Sequence, residues 1–368
     1  DVFIFDHKTA TTTRVSLDSS GNEADDGSFV PSLSADGKIV AFVSYADNLV
    51  PGDTNGVPDV FVRDLATGVT ERVSVDSAGT QGNDYSQAPS DVSPRLSGDG
   101  DLVVFYSWAT NLVAGDTNGC VDSFVHARSS GKTLRVSMEW NGAEGTADSG
   151  PVVISADGAT IAFTSNAPNL VRNDLNGTVD VFVVDRASGS IERVSVDDSG
   201  AEADYGGFSA SISADGRLVA FASFATNLVA GDLNGRQDVF IHDRTAATTW
   251  RASIASDGSE GDGDSYLPDI SGSGDEVAFT TNATNLVGGD TNGTTDDVVR
   301  REAAAAWNNY GAGYPGSNGV PDLLAESDPV LGGSLTVDLG NSAGIQTIAL
   351  MVIGFAPANL PTTAGGAL

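Results

Sequence analysis

A twelve-residue segment recurs five times along this chain of 368 residues. It reads Asn-Leu-Val-x-x-Asp-x-Asn-Gly-x-x-Asp, and its copies begin at Asn48, Asn111, Asn169, Asn227 and Asn285. Successive copies are 63, 58, 58 and 58 residues apart. A period of this length is typical of propellers and larger solenoid repeats, in which each repeat packs on its neighbours. The chain is therefore an array of repeats, and the number of its domains cannot be estimated from its length.

Each repeat contains four short β-rich runs, as residues 31–75 illustrate. The first two runs flank Asp36-Gly37, a pair that favours the positive φ angles of a type I′ hairpin turn. The acidic segment follows, and then two more runs at 60–63 and 71–75. Four antiparallel strands per repeat predict an all-β propeller of four-stranded blades, and the hairpin turns disfavour a solenoid of parallel strands.

Two stretches of the repeat resemble a known family. Residues 31–37 read Pro-Ser-Leu-Ser-Ala-Asp-Gly, and residues 59–64 read Asp-Val-Phe-Val-Arg-Asp. They resemble the blades of TolB-like β-propellers, over residues 1 to about 300. The resemblance implies a ring of blades around a central channel in a secreted or cell-surface bacterial protein, but it implies no single activity. This chain departs from the pattern at Ser273, which replaces the turn aspartate, and at Ala127, which replaces the strand-end aspartate.

The number of blades follows from counting strand types. First-and-second strand pairs occur five times, which favours five blades; six becomes the better count if residues precede Asp1. Five blades would close if the strands of residues 1–17 paired with the last hairpin, residues 268–281, and so removed the exposed sheet edges. The propeller is assigned to residues 1–302.

The repeat stops after Arg301, where the composition changes. Two β-like runs, 334–339 and 345–353, predict a small β-sandwich-like module over residues 303–368. So few strands make a marginal sandwich, so the module is expected to pack on the propeller, to need further strands, or to be completed by a neighbouring molecule. Self-assembly through this module is one expected interaction.

The charge of the chain limits its partners. Fifty Asp and Glu against 18 Lys and Arg give a formal net charge of −32, with no basic cluster to offset it. Binding to nucleic acids or to anionic membrane surfaces is therefore unfavourable, and we expect no nucleic-acid partner, whereas cations are favoured. The single cysteine, Cys120, rules out an intrachain disulfide, and no apolar run reaches the roughly 18 residues of a membrane span.

The acidic segment offers oxygen ligands at positions 1, 3 and 7 of a glycine-containing loop. Oxygen-only ligands suit Ca²⁺, which takes about six to eight of them in a flexible shell. The loop resembles an EF-hand calcium loop but lacks the later bidentate Glu, so other ligands would come from elsewhere in the blade. The expected structural calcium ligands are Asp53, Asn55, Asp59, Asp116, Asn118, Asp122, Asp174, Asn176, Asp180, Asp232, Asn234, Asp238, Asp290, Asn292 and Asp296.

A simpler interpretation of the same residues stays open. Asp and Asn side chains commonly form turns with their own backbone, and the last Asp of each segment could cap or pair at the start of the third strand. Retention of all three oxygen residues and the glycine in five copies favours calcium over this interpretation.

One arginine recurs in every repeat, within Arg-Val-Ser or Arg-Ala-Ser. These residues are Arg14, Arg72, Arg135, Arg193 and Arg251. We expect each to pair across its hairpin with the aspartate that ends the preceding strand, such as Asp64. An exposed pair of this kind contributes only about 0–1 kcal/mol.

Catalytic motifs are missing from the sequence. His7, His126 and His242 are the only histidines and belong to different repeats, and there is no Gly-x-Ser-x-Gly, His-Glu-x-x-His or phosphate-binding glycine loop. The preferred function is therefore a secreted, calcium-stabilised binding, scaffold or assembly module whose partner is another protein or a polysaccharide. The alternative is a hydrolase or lyase acting on a carbohydrate or ester at the channel mouth, for which the non-repeated loop 80–93 is the best candidate.

Overall fold

The structure, a computed structural model, describes residues 1–87 and 93–287 and the strands at 297–302, 322–325, 337–340 and 347–349. The chain divides into two compact units, Asp1–Ala304 and Ala305–Leu368. Every regular element described is a β-strand. Within the described residues, no helix is long and apolar enough to cross a membrane.

The first unit contains 21 described strands. They are β1 (Phe3–Asp6), β2 (Thr11–Arg14), β3 (Ser28–Leu33), β4 (Ile39–Ser44), β5 (Asp59–Asp64), β6 (Thr70–Arg72), β7 (Arg95–Leu96), β8 (Leu102–Ser107), β9 (Asp122–Ala127), β10 (Lys132–Arg135), β11 (Ser149–Ile154), β12 (Thr160–Ser165), β13 (Asp180–Asp185), β14 (Ile191–Arg193), β15 (Gly207–Ile212), β16 (Leu218–Ser223), β17 (Asp238–Asp243), β18 (Thr248–Arg251), β19 (Ser265–Ile270), β20 (Glu276–Thr281) and β21 (Asp297–Glu302).

These strands form consecutive antiparallel sheets. Blades 1 to 4 have four strands each, β3–β6, β7–β10, β11–β14 and β15–β18, and blade 5 has the described strands β19–β21. Strands β1 and β2 form a separate N-terminal sheet. The four-stranded meander predicted from one repeat is confirmed, and with it the all-β propeller of blades.

The core lies between neighbouring sheets. The second strand of each of blades 1 to 4 is buried along its whole length because both faces of its sheet are covered. Within a blade, a phenylalanine of the second strand stacks on its direct partner in the third, as Phe42 does on Phe61 with ring centroids 6.0 Å apart. Hydrophobic clusters then join each blade to the next, as where Ile39 and Val62 meet Val103. Burial of these aliphatic and aromatic side chains supplies the main stabilisation.

The hairpin turn differs from the predicted type I′. Gly37 has a positive φ of 72°, but Asp36 is not among the residues with positive φ. The Gly37 amide donates to the Ser34 carbonyl at 2.9 Å, so a turn through Ala35 and Asp36 is followed by one left-handed glycine. The Asp36 carboxylate accepts the Lys38 amide at 3.0 Å, and this contact stabilises the alternative turn.

The predicted closure of the ring is wrong. Strand β20 of the last hairpin pairs with β21, with Phe279 opposite Val299, and β2 is the one partner of β1 among the described strands. The N-terminal sheet packs instead on blade 1, where Val2 and Val15 contact Phe42. Pairing within one contiguous repeat closes a far shorter loop than pairing the two ends of the array, so its entropic cost is lower.

The described strands of the second unit form one antiparallel sheet of three strands. These are β22 (Asp322–Ala325), β23 (Val337–Gly340) and β24 (Thr347–Ala349), in that order across the sheet. Strands β23 and β24 fall on the two β-like runs predicted from the sequence, whereas β22 was not predicted.

Candidate functional site

The acidic segments lie between the second and third strands of each blade, at one end of the sheets. The structure describes the segments of blades 1 to 4. The fifth, with Asp290, Asn292 and Asp296, lies outside the described residues.

The last aspartate of each segment begins the third strand and is held on both oxygens. In blade 1, Ser74 Oγ donates to Asp59 Oδ1 at 2.5 Å, while Asn55 Nδ2 and Arg72 Nη1 donate to Oδ2 at 2.8 and 3.2 Å. The equivalent Asp122, Asp180 and Asp238 each accept the serine, asparagine and arginine of their own blades.

The central asparagine turns its oxygen away from the carboxylates. Asn55 Oδ1 accepts the backbone amide of Val57 at 3.3 Å, and its Nδ2 also donates to the Gly82 carbonyl at 3.0 Å. This is the side-chain-to-backbone turn of the simpler interpretation, and Asn118, Asn176 and Asn234 repeat it.

The recurring arginine enters the acidic segment of its own blade. Arg72 Nη1 lies 2.8 Å from Asp53 Oδ1, and the arginine and aspartate side chains are only 7% and 2% exposed. The corresponding distances are 3.6 Å for Arg135 to Asp116, 3.5 Å for Arg193 to Asp174 and 3.3 Å for Arg251 to Asp232. A buried guanidinium thus supplies positive charge where calcium was predicted.

The predicted pairing of this arginine with the strand-end aspartate is therefore wrong. Asp64 instead accepts the backbone amides of Ala66 and Thr67 at 2.8 and 3.0 Å and closes the turn after its strand. Arg72 lies opposite Phe61 in the sheet, so it shares a face with Asp59, two residues from Phe61. Residues an odd number of positions apart in a strand point to opposite faces, which puts Asp64 on the other side.

A third acidic residue, which the sequence analysis missed, completes the cluster in blades 2 to 4. Arg193 Nη1 lies 2.8 Å from Glu202 Oε2, and Glu202 also accepts the backbone amide of Leu175 at 3.0 Å. Arg135 and Arg251 contact Glu144 and Glu260 in the same way, at 3.1 and 2.6 Å. The signal was present in the sequence, because Glu23, Gln81, Glu144, Glu202 and Glu260 each stand nine residues after the arginine of their repeat.

Burial makes these clusters electrostatically costly. Burial raises the pKa of Asp53, Asp174 and Asp232 to about 6, and it raises the pKa of Asp59 and Asp116 as well. In blades 2 to 4 the cluster contains three carboxyl groups and one guanidinium. Because three carboxyl groups outnumber one guanidinium, each of these clusters carries an excess of negative charge when its carboxyl groups are ionised.

Each acidic segment also makes hydrogen bonds to the two chain connections that lead into and out of its blade. Asn48, the first residue of its segment, donates to the Glu23 carbonyl at 2.8 Å and accepts the Asp25 amide at 3.1 Å, on the connector before blade 1. Asn55 contacts Gly82 on the connector after it. Each segment so fixes the chain on both sides of its blade.

The fit of calcium to this arrangement is limited by these contacts. Among the residues that the structure describes, no three His, Cys, Asp or Glu side chains are grouped so as to hold a metal ion. Calcium coordination at the segments stays a prediction, and it would require Asn55 to rotate and Arg72 to leave Asp53.

Two of the histidines are buried structural residues. His126 Nδ1 lies 2.8 Å from Thr133 Oγ1, and His242 Nδ1 lies 2.8 Å from Thr249 Oγ1. Burial lowers the pKa of both imidazoles. They lie in blades 2 and 4, whereas His7 is exposed after β1.

Exposed aromatic pairs stand immediately before three of the acidic segments. Tyr45, Trp108 and Phe224 occupy the same repeat position, and each makes an edge-to-face contact, with Phe29, Tyr85 and Tyr205 respectively. The three rings are 37%, 40% and 39% exposed. Blades 3 and 5 have Asn166 and Asn282 at this position. Of these six aromatic residues, only Tyr85 belonged to the non-repeated loop singled out from the sequence.

Comparisons with known proteins concern the fold. No protein-family model and no curated protein sequence matches this chain. Similar solved structures include a protein from Agrobacterium tumefaciens provisionally named TolB, 15% identical, with 94% of this chain and 86% of that chain covered and a TM-score of 0.42. An oligogalacturonate lyase from Vibrio parahaemolyticus is 10% identical, with 83% and 86% covered and a TM-score of 0.36.

A prolyl endopeptidase is 13% identical, with 99% of this chain covered and a TM-score of 0.45. This chain spans 49% of that protein. At these identities and TM-scores, the activities of these proteins do not transfer to this chain.

Proposed function

We propose that this protein is a non-catalytic binding module, secreted or held at a bacterial cell surface, whose propeller binds a neutral polysaccharide at the end of the blades that carries the acidic segments. The three exposed aromatic pairs carry the proposal. One ring of each pair, Tyr45, Trp108 or Phe224, stands at the same repeat position before the segment of blade 1, 2 or 4, whereas its partner ring comes from a different position in each blade.

The backbone that carries the rings is hydrogen-bonded, and each ring contacts its partner edge-to-face. The Tyr45 amide donates to the Gly27 carbonyl at 3.0 Å, and the Trp108 amide donates to the Tyr85 carbonyl at 2.9 Å. The contact with the partner ring restricts the rotation of each side chain, which reduces the conformational entropy lost on binding. Aromatic side chains with a few placed polar groups are typical of ligand sites.

The chemistry around the rings favours a polysaccharide over a protein. The pairs are separate and flanked by polar residues, with Asp47 two positions after Tyr45 and Thr226 two positions after Phe224. A protein interface would need a continuous desolvated centre. A sugar chain instead offers apolar C–H faces to separated rings and hydroxyl groups to oxygen acceptors. The charge of −32 makes a neutral polymer preferable to an anionic one.

Calcium and self-assembly belong to the same proposal as secondary features. The excess negative charge of the clusters supports a cation near them, and the small second unit supports assembly through its sheet. Neither is needed for the aromatic pairs to bind.

The experiment is co-sedimentation of the purified chain with insoluble cellulose, chitin and β-1,3-glucan. We expect at least one to retain the protein, and the triple variant Tyr45→Ala, Trp108→Ala, Phe224→Ala to lose roughly 90% of that retention, since several stacked rings act together. Phe5→Ala, at an exposed ring on the N-terminal sheet, is the control. If the triple variant is retained at the wild-type level, the proposed surface is refuted. The proposal is also refuted if the wild-type protein binds neither these three polymers nor any member of a larger set of neutral polysaccharides.

A further inference from the structure

A single ring of side chains lines a cavity at the centre of the blades. The cavity has a volume of about 210 Å³ and is bounded by residues of the first strands of all five blades. One repeat position supplies one side chain from each blade to its wall: Ser32, Arg95, Val153, Ser211 and Asp269. The next position along the strands supplies Leu33, Leu96, Ile154 and Ile212. The repeat thus places one ring of polar, charged and apolar side chains beside a second ring whose side chains are all aliphatic.

The charged members of the ring do not pair with each other. Arg95 and Asp269 form no ion pair within 4.0 Å, and the Arg95 side chain makes no hydrogen bond to the described residues. Asp269 Oδ1 accepts from Ser211 Oγ at 3.1 Å, which orients the carboxylate. Ser32 Oγ is buried and has no hydrogen-bond partner among the described residues. One cation, one anion and one hydroxyl therefore line the same space with hydrogen-bonding capacity to spare.

The backbone of the first strands is bent just before this ring. Register shifts precede Ser32, Ser211 and Asp269, and the bulges contain Val30 and Leu267 at positive φ of 42° and 50°. Positive φ is costly for a β-branched residue such as valine. Bulges re-aim the side chains that follow them and are common beside ligand sites.

We propose that this cavity binds a small zwitterion with an aliphatic tail, of the size of a free branched-chain α-amino acid. Arg95 binds the carboxylate, Asp269 binds the ammonium group, Ser32 Oγ adds a hydrogen bond, and Leu33 and Ile212 contact the tail. The ring contains one positive and one negative charge, so a ligand without net charge leaves it balanced. The volume is below the range of about 300–1,000 Å³ typical of drug-sized ligands, which restricts the site to a small metabolite.

The cavity shares no residue with the aromatic pairs, so it is tested separately and with small molecules instead of polysaccharides. Isothermal titration with L-leucine is compared with two deletion analogues, 4-methylpentanoate, which lacks the amine, and 3-methylbutylamine, which lacks the carboxylate. Titrations extend to about 10 mM, where weak complexes are still measurable. We expect leucine to bind at least tenfold more tightly than either analogue, because each lost charge-assisted contact weakens binding by roughly that factor.

Variants then assign each charge to its partner. Arg95→Gln should weaken leucine and 4-methylpentanoate but not 3-methylbutylamine, and Asp269→Asn should do the reverse. Arg236→Gln and Asp275→Asn, both exposed and outside the cavity wall, are charge-matched controls. Arg95 has no hydrogen-bond or ion-pair partner among the residues that the structure describes, so its variant should fold. No heat with leucine, equal affinity for all three probes, or binding unchanged in Arg95→Gln would overturn the proposal.

Discussion

Arg193 donates through Nη1 to Glu202 Oε2 at 2.8 Å while lying 3.5 Å from both Asp174 and Asp180. In blade 1, where Gln81 stands in place of the glutamate, Arg72 lies 2.8 Å from Asp53 instead. The position of the guanidinium therefore differs with the acidic residues that its blade offers. In each blade the arginine is the counter-ion that the cluster itself supplies.

Replacement of Arg193 by Met should strongly destabilise the protein. The change keeps much of the side-chain length but leaves Asp174 and Asp180, 4% and 0% exposed, without a cation. Breaking a buried pair from one side costs about 3–5 kcal/mol. The free energy of unfolding from urea titration measures the effect, with Arg236→Met at an exposed site as the control. A loss below about 1 kcal/mol would mean that the pair contributes no more than a surface ion pair.

Calcium should stabilise the Arg193→Met protein more than the wild type. The variant removes the guanidinium from Asp174, Asp180 and Glu202, so a cation can approach these three carboxylates without a competing positive charge. Melting temperatures are compared with and without about 5 mM CaCl₂, a concentration suited to weak extracellular sites, with MgCl₂ in parallel. Equal calcium shifts in both proteins would show that arginine and calcium do not compete, and no shift in either would remove calcium from these segments.

The glutamate should matter less than the arginine. Glu202→Gln keeps an oxygen for the Leu175 amide, as Gln81 does for Thr54 in blade 1 at 3.2 Å. Because the Glu202 side chain is 23% exposed and two other carboxylates remain near Arg193, we expect a loss of only about 0–1 kcal/mol. Glu202→Ala removes the amide contact as well and should cost more. Urea unfolding of both variants separates the contribution of the Glu202 charge from that of the hydrogen bond to the Leu175 amide. If the Gln variant is as unstable as the Ala variant, the charge of Glu202 contributes more than we infer.

The sequence was sufficient for the blade but not for its electrostatics. The 58-residue period and the hairpin glycine predict four antiparallel strands because both signals are local. The ion-pair partner of Arg72 instead depends on which face of the sheet its side chain occupies. Arg72 lies opposite Phe61 and therefore on the same face as Asp59. The sequence analysis chose Asp64 because that residue lies next to the turn of the hairpin.

The contribution of Glu202 was hidden for a related reason. It lies on the connector after β14, outside the acidic segment, and reaches that segment only once the chain has folded back. The central ring of Ser32, Arg95 and Asp269 was likewise invisible, because equivalent positions of different repeats meet only when the blades are arranged around a common space. Recurrence in sequence finds what the repeats share, whereas this ring depends on how they differ.

The buried histidines should make the protein lose stability below neutral pH. Thr133 Oγ1 donates to the Val75 carbonyl, so His126 must donate through Nδ1, and protonation at Nε2 would place a charge in a buried site. Burial lowers the folded-state pKa of His126 below the ordinary histidine value of about 6.5, so the unfolded chain binds more protons. Stability is then complete above about pH 6.5 and falls as the pH drops below it, by up to about 1.4 kcal/mol per histidine for each pH unit.

Unfolding free energies at pH 7.5 and 5.5 test this for the double variant His126→Gln, His242→Gln, which cannot titrate at these positions. We expect the variant to lose less stability than the wild type between the two values, even if it is less stable at pH 7.5. His7→Gln is the matched control, because His7 is an exposed histidine outside the two buried sites. Both proteins also contain many carboxyl groups that titrate. Only the difference between their losses of unfolding free energy therefore reports on the two imidazoles. An identical loss in both would assign the acid sensitivity to carboxyl groups alone.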